Sequence, residues 1–284
     1  MTGYDDGQPR MGFFTDTSVC IGCKACEVAC KEWNGVPENP FAWTGESYDN
    51  TSGLGANSWR HVAFIEQGGG QFAAGSGEST SAGHSASAGQ SAGQAEDFRW
   101  LMSSDVCKHC TTAACLDVCP TGALFKTEFE TVVVQEDVCN GCGYCVPACP
   151  YGVIDRREED GRAWKCTLCY DRLKVGEEPA CAKACPTDSI NFGTLEAMTA
   201  MAADRLDVVV AAGRAGAQLY GDGPSGGVDG TGSVFLLLDD PEVYGLPPDP
   251  IATSKDLPSM WGAAAAAAVT LVGAVVAAFV GGRR

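Results

Sequence analysis

Histidine is scarce in this sequence. There are three in 284 residues, and none lies in or beside the one long apolar run, so that run brings no haem ligand of its own. Positive charge is also short, 19 Lys and Arg against 36 Asp and Glu, and at a formal charge of −17 no nucleic-acid partner is expected. No glycine-rich phosphate loop or dinucleotide fingerprint is present, which removes the commonest routes to nucleotide chemistry. The N-terminus, Met1 to Gly7, is polar and has no apolar h-region, so no signal peptide is expected. The length allows one or two domains with a sizeable core.

What the chain does have is cysteine, sixteen of them in four sets of four. Cys139, Cys142, Cys145 and Cys149, followed by Pro150, have the C-x2-C-x2-C-x3-C-P spacing of bacterial two-cluster ferredoxins. In that arrangement three closely spaced thiolates wrap one iron–sulfur cluster, and the fourth crosses to ligate a neighbouring one. Cys20, Cys23, Cys26 and Cys30 repeat the spacing with Lys31 in place of the proline. Cys107, Cys110, Cys115 and Cys119 precede Pro120, and Cys166, Cys169, Cys181 and Cys185 precede Pro186. A disulfide scaffold also uses an even count, and C-x2-C pairs also suit zinc. Neither explains four quartets that each close on a C-x3-C step. Gly141 and Gly143, between ligands, are expected to let backbone N–H groups approach the cluster sulfurs.

Between the two inner runs, 123–127 and 131–135 flank a polar break at 128–130 and read as a β-hairpin. Two cluster loops joined by a hairpin make one ferredoxin unit, which leaves the first and fourth runs to complete each other across it. The crossing rule then gives four sets. They are Cys20, Cys23, Cys26 and Cys185; Cys30, Cys166, Cys169 and Cys181; Cys107, Cys110, Cys115 and Cys149; and Cys119, Cys139, Cys142 and Cys145. The competing pairing, run one with two and three with four, breaks the hairpin unit and is less economical in its connections.

The expected fold class is α+β. It has two nested ferredoxin-like modules with a pseudo-twofold relation, each holding two 4Fe–4S clusters, and one C-terminal transmembrane helix. The outer module takes 1–35 and 160–193, and the inner one 105–159. Between them, 36–104 is an insertion in which 59–66 alternates like a strand and 98–102 resumes apolar character, so a hairpin is expected. Its tip, 68–95, is almost entirely Gly, Ser, Ala and Gln, a composition that cannot offset the entropy of ordering, and His84 within it reads as solvated. The 194–258 extension should hold a helix capped by Thr194, a glycine-rich turn at 221–232, a buried strand at 233–238 and a proline-rich linker at 245–250.

Residues 259–284 form the expected anchor. The uncharged stretch from Trp261 to Val280 spans about 30 Å as a helix, the thickness of a bilayer core. A buried alanine-rich helix is the competing reading. Trp261 at one end and Arg283 and Arg284 at the other suit membrane interfaces, and the arginines favour a cytoplasmic C-terminus with the cluster domain on the outer face. Lys24, Lys31, Lys108, Lys165 and Lys183 lie in or beside the quartets, where positive charge would favour the reduced clusters; the alternative is that they only solvate the surface. His109, between two ligands, reads as packing around a cluster.

Cys20-Ile21-Gly22-Cys23-Lys24-Ala25-Cys26 with Lys31-Glu32-Trp33-Asn34, Cys139 to Cys145, and Lys165 to Cys169 with Gly176 to Cys181 resemble the iron–sulfur β subunit of membrane-bound formate dehydrogenase. The likeness covers nearly the whole chain, although the Gly/Ser/Ala insertion and the short tail after the terminal helix depart from the family pattern. It implies a non-catalytic subunit relaying electrons through four 4Fe–4S clusters. The implied partners are a molybdenum- or tungsten-pterin catalytic α subunit and a cytochrome b subunit that passes electrons to quinone in the cytoplasmic membrane. The runners-up are the equivalent subunit of a hydrogenase or of a sulfur-compound, dimethyl sulfoxide or nitrate reductase, and a free-standing membrane-tethered ferredoxin.

Overall fold

The computed structural model describes residues 7–39, 49, 51, 53–67, 99–223 and 227–281. The glycine/serine-rich tip with His84, and the terminal Arg283 and Arg284, lie outside the described residues.

The chain opens with β1 (Met11–Asp16), whose last five residues are all buried. A cysteine loop follows, then α1 (Ala25–Asn34), which carries Cys26 and Cys30. The insertion forms β2 (Arg60–Gln67) and β3 (Arg99–Val106), an antiparallel ladder paired in full from Arg60↔Val106 to Gln67↔Arg99. This is the hairpin expected from the alternation. Next come α2 (Ala114–Asp117), the hairpin β4 (Leu124–Lys126) with β5 (Val132–Val134), and α3 (Cys145–Ala148). A second small ribbon, β6 (Asp155–Arg156) with β7 (Ala163–Trp164), precedes α4 (Tyr170–Leu173) and α5 (Ala180–Lys183).

Beyond the last cysteine, β8 (Ile190–Thr194) runs into α6 (Leu195–Ala211). Thr194 caps that helix, its Oγ1 accepting from the Ala197 N–H at 3.3 Å. After β9 (Gln218–Tyr220) and β10 (Ser233–Leu237), a 3-10 turn at Pro241–Tyr244 leads towards α7 (Leu257–Gly281).

The four-stranded sheet, in the order β8-β1-β10-β9, was not expected from the sequence. β1 lies inside it, antiparallel to β8 and parallel to β10, with Phe13 opposite both Phe192 and Ser233. Gly12 makes that approach possible, since a Cβ there would meet the Gly232 carbonyl oxygen at 2.6 Å. On one face Met198, Ala202 and Val209 of α6 pack on Phe14, Val234 and Leu236. On the other, Phe13, Phe235 and Leu237 share a core with Val62, Leu168 and the cysteines Cys26, Cys30, Cys107, Cys166 and Cys181. Each large aliphatic or aromatic side chain so buried contributes ~1.5–3 kcal/mol.

The glycine-rich turn and proline-rich linker are more closely packed than their composition suggests. Thr111 and Thr112 donate their N–H groups to Gly230 and Val228, and Val228, Leu246 and Ala252 are buried. The Tyr220 hydroxyl donates to the Pro247 carbonyl at 2.7 Å. By contrast, none of the 21 residues of α7 from Ser259 to Phe279 is buried. They are long and apolar enough to cross a membrane.

Candidate functional site

None of the sixteen cysteines is paired in a disulfide. Cys26 and Cys30 sit on α1, which packs against α5 and so against Cys181, while α2, bearing Cys115, packs on α3, bearing Cys145. The sulfurs fall into groups by their electrostatic neighbours. Cys20 has Cys26 and Cys185 beside it, and Cys30 has Cys166, Cys181 and Cys169. Cys110 has Cys107, Cys115 and Cys149, and Cys145 has Cys139, Cys142 and Cys119. Cys23 is exposed, three residues from Cys20.

The donor sets suit a multi-iron group. Cys107, Cys110, Cys115 and Cys149 line one pocket, and Cys119, Cys139, Cys142 and Cys145 line another. Among the described residues no three His, Cys, Asp or Glu side chains converge tightly enough to hold a single ion. Burial, reinforced by neighbouring sulfurs, pushes the Cys30, Cys110 and Cys166 thiols up. Burial likewise brings Cys145 to about 11. Thiolates crowded this way need cationic iron to hold them ionised. Cys119 is the exception: burial would raise it, but the N–H groups of Leu124, Thr121 and Ala123 and the Thr121 hydroxyl hold it below an ordinary thiol.

The sulfurs also feel charges across the groups. Cys26 neighbours Cys181, Cys166 neighbours Cys107, and Cys115 neighbours Cys145, so the first group adjoins the second, the second the third and the third the fourth.

The five lysines in or beside the quartets separate in this setting. Lys183 is exposed. Lys24 is tied to Asp49 at 2.9 Å and Glu27 at 3.2 Å, Lys31 donates to the Pro37 carbonyl at 3.0 Å, and Lys108 pairs with Asp105. Lys165 is buried among sulfurs, next to Cys107, Cys115 and Cys166, with Nζ donating to the carbonyls of Val132 and Cys166. His109 is buried against the same pocket and accepts from the Val132 N–H at 3.1 Å. Burial, with Lys165, Arg10 and Arg60 nearby, keeps its imidazole well below the usual range and hence neutral. The Trp-Asn pair after the first run has a local purpose. Trp33 Nε1 donates to Asp171 at 2.8 Å under the Arg172 guanidinium, and Asn34 faces the sulfurs of Cys30 and Cys169 at 3.8 Å.

Arg60 was missed in the sequence. It is the largest fully buried side chain among the described residues, and Cys26, Cys30, Cys166 and Cys181 are its electrostatic neighbours in the same core. The one signal available was a charged residue at the start of an alternating strand.

Two profiles described as "4Fe-4S dicluster domain" match the chain, one over residues 19–123 and the other over 98–195. Over 257 residues the chain is 38% identical to the nitrate-inducible formate dehydrogenase iron–sulfur subunit of Escherichia coli, covering 89% of this chain and 78% of that protein. It is 39% identical over 249 residues to the formate dehydrogenase iron–sulfur subunit of Haemophilus influenzae, with 86% and 71% covered. Against a subunit of the anaerobic dimethyl sulfoxide reductase of E. coli it is 36% identical over 188 residues, with 66% and 75% covered. Two dicluster domains on sixteen cysteines carry four 4Fe–4S clusters, and the chain is an electron-transfer subunit, not a catalytic one. Cysteines brought together from both ends of the chain, both domain matches and relatives covered over most of their length agree, and the chain belongs to the family of formate dehydrogenase iron–sulfur subunits.

Proposed function

We propose that this chain relays electrons in a membrane-bound formate dehydrogenase, from a molybdenum- or tungsten-pterin catalytic subunit to a membrane cytochrome b and quinone. The ligand sets are those of the crossing rule. Cys20, Cys23, Cys26 and Cys185 hold the first cluster and Cys30, Cys166, Cys169 and Cys181 the second. Cys107, Cys110, Cys115 and Cys149 hold the third, and Cys119, Cys139, Cys142 and Cys145 the fourth. The observation that carries this is the grouping of sulfurs from runs far apart in sequence, Cys20 with Cys185 and Cys30 with Cys166, Cys169 and Cys181. The same grouping supports an outer module (1–35 with 160–193) nested around an inner one (105–159), in a pseudo-twofold arrangement. The 36–104 insertion, the 194–258 extension and the 259–284 anchor complete the chain.

Bound clusters supply one-electron carriers at fixed positions. The protein's part is to hold each quartet of thiolates ionised, exclude water from the middle of the line, and leave its ends accessible. Cys23 at one end and Cys142 at the other are exposed, while Cys30, Cys107 and Cys166 between them are buried. That gradient suits entry from one partner and exit to another. The apolar Ser259–Phe279 helix supports membrane attachment, and Arg283 and Arg284 after it favour a cytoplasmic tail with the clusters on the outer face.

A dimethyl sulfoxide reductase assignment is less well supported, because that match covers 66% of this chain against 89% for formate dehydrogenase. The deciding experiment is purification of the intact complex. A stoichiometric large subunit containing molybdenum or tungsten, and reduction of the clusters by formate but not by hydrogen, is the expected result. Clusters that respond to hydrogen only, or a chain that purifies alone, would overturn the reading.

A further inference from the structure

Arg60 has no part in holding the clusters as described so far. It opens β2 and pairs across the hairpin with Val106, the residue before Cys107. Its side chain is 2% exposed, and its guanidinium lies 4.8 Å from the centre of the Phe13 ring. Nη1 donates to the Ser104 carbonyl at 3.2 Å and the Ser104 hydroxyl at 2.9 Å, and that hydroxyl is 3.3 Å from the Cys26 sulfur. Nε and Nη2 are buried without a hydrogen-bond partner, and among the described residues no carboxylate pairs with the group. A guanidinium does not shed its proton, so a full positive charge is committed to the interior.

Four cysteines of the same core act on that charge. Cys26 belongs to the first quartet, and Cys30, Cys166 and Cys181 to the second. Burial alone works against the guanidinium's charge, and these sulfurs more than reverse that effect. We propose that Arg60 is a positioning residue for electron transfer: a shared countercharge, seated between the first and second quartets by the β2–β3 insertion, that raises the reduction potentials of those two centres together. The inference rests on the reading of the sixteen cysteines as four 4Fe–4S centres.

The physical reason is that reduction adds one negative charge to a centre. A fixed cation in a low-dielectric surrounding favours that state. Because one charge faces sulfurs from both quartets, it moves both potentials the same way and leaves the step between them small. Lys165 faces Cys107, Cys115 and Cys166, so its charge falls on the second and third centres instead. The hairpin insertion, otherwise an accessory between two cysteine runs, thereby acquires a task.

The test is a redox titration of the intact complex followed by electron paramagnetic resonance. Signals are first assigned to the first and second centres by their loss in Cys20→Ala and Cys169→Ala. In Arg60→Met the expected result is that these two midpoint potentials move negative while the third and fourth hold, at unchanged iron content; Arg60→Lys, which keeps the charge, stays near the native values. Four unchanged potentials, or four moving together, would overturn the proposal. Should Arg60→Met fail to assemble, Arg60→Gln decides. It removes the charge and keeps a polar side chain, and a negative shift in both centres is expected. A shift confined to one centre, or no shift at all, overturns the proposal. Failure of the four-cluster reading is separately visible, because it would appear as far fewer than about sixteen irons in the native chain.

Discussion

Two residues at the ends of runs test the crossed pairing most directly. Cys181 and Cys185 are four positions apart on and after α5, yet Cys185 neighbours Cys20 and Cys181 neighbours Cys30. If the fourth sulfur crosses, Cys185→Ala should remove the same paramagnetic signal as Cys20→Ala and about four irons, while Cys181→Ala removes a different signal. Identical spectra for the Cys181 and Cys185 variants would rule the crossing out. Gly141 makes a second test. Its sequence position between ligands suggested room for N–H groups near sulfur, but its φ of +72° and the Gly161 carbonyl oxygen, 2.4 Å from where a Cβ would sit, give a different reason for glycine. The Cys139–Cys142 loop packs directly on the backbone turn between β6 and β7. Gly141→Ala should therefore cost on the order of 3 kcal/mol and lower occupancy of the fourth cluster, with the other three retained. Iron content and the fourth cluster's signal report this, and a fully loaded variant of native thermal stability would contradict it.

Among the elements, the β2–β3 hairpin offers the cleanest separation of structure from sequence length. Gln67 and Arg99 face each other as the last pair of the ladder, and both side chains reach Asp239, so the ladder is fastened at its outer end. Excising Gly68 to Ala95 would leave Glu96, Asp97 and Phe98 as a three-residue connection, a length hairpins commonly use. Cluster content is expected to stay at its native level in that variant; iron loss measured after purification would show that the excised stretch supports the fold. This hairpin, the β4–β5 hairpin and the Thr194-capped α6 were legible because each is announced locally, by alternation, a polar break or a capping hydroxyl. β1 was not. Met-Gly-Phe-Phe-Thr-Asp neither alternates nor forms a long apolar run, and its strand character comes from partners more than 170 residues away, Phe192 and Ser233. Arg60 was hidden for the same reason, since its environment is made by a hairpin register and by two quartets drawn from both ends of the chain. The four cysteine runs were legible outright, because ligand spacing is a property of the local backbone.

Over the whole molecule the division is between a body whose core takes in seven of the sixteen cysteines and a helix with no residue buried from Ser259 to Phe279. Leu271, Val272, Val275, Val276 and Phe279 are all about half exposed or more, on a helix with no charged residue between Ser259 and Phe279. In water each such large side chain forgoes ~1.5–3 kcal/mol of burial, so the helix is stable only where something apolar surrounds it. The body makes the opposite demand: all the charge of the chain, −17 in sum, lies outside Ser259–Phe279, and charged groups favour water. Ending the chain after Asp256 should therefore leave iron content unchanged, because no cysteine lies beyond Cys185 and α7 contributes nothing to the described core. In washed membranes the shortened subunit should come off at high salt without detergent, while the full-length subunit requires detergent, because the contact left to the shortened form is polar and screened. Retention of the shortened subunit after a salt wash would mean that the cluster-bearing body, not α7, supplies the main tie to the membrane complex.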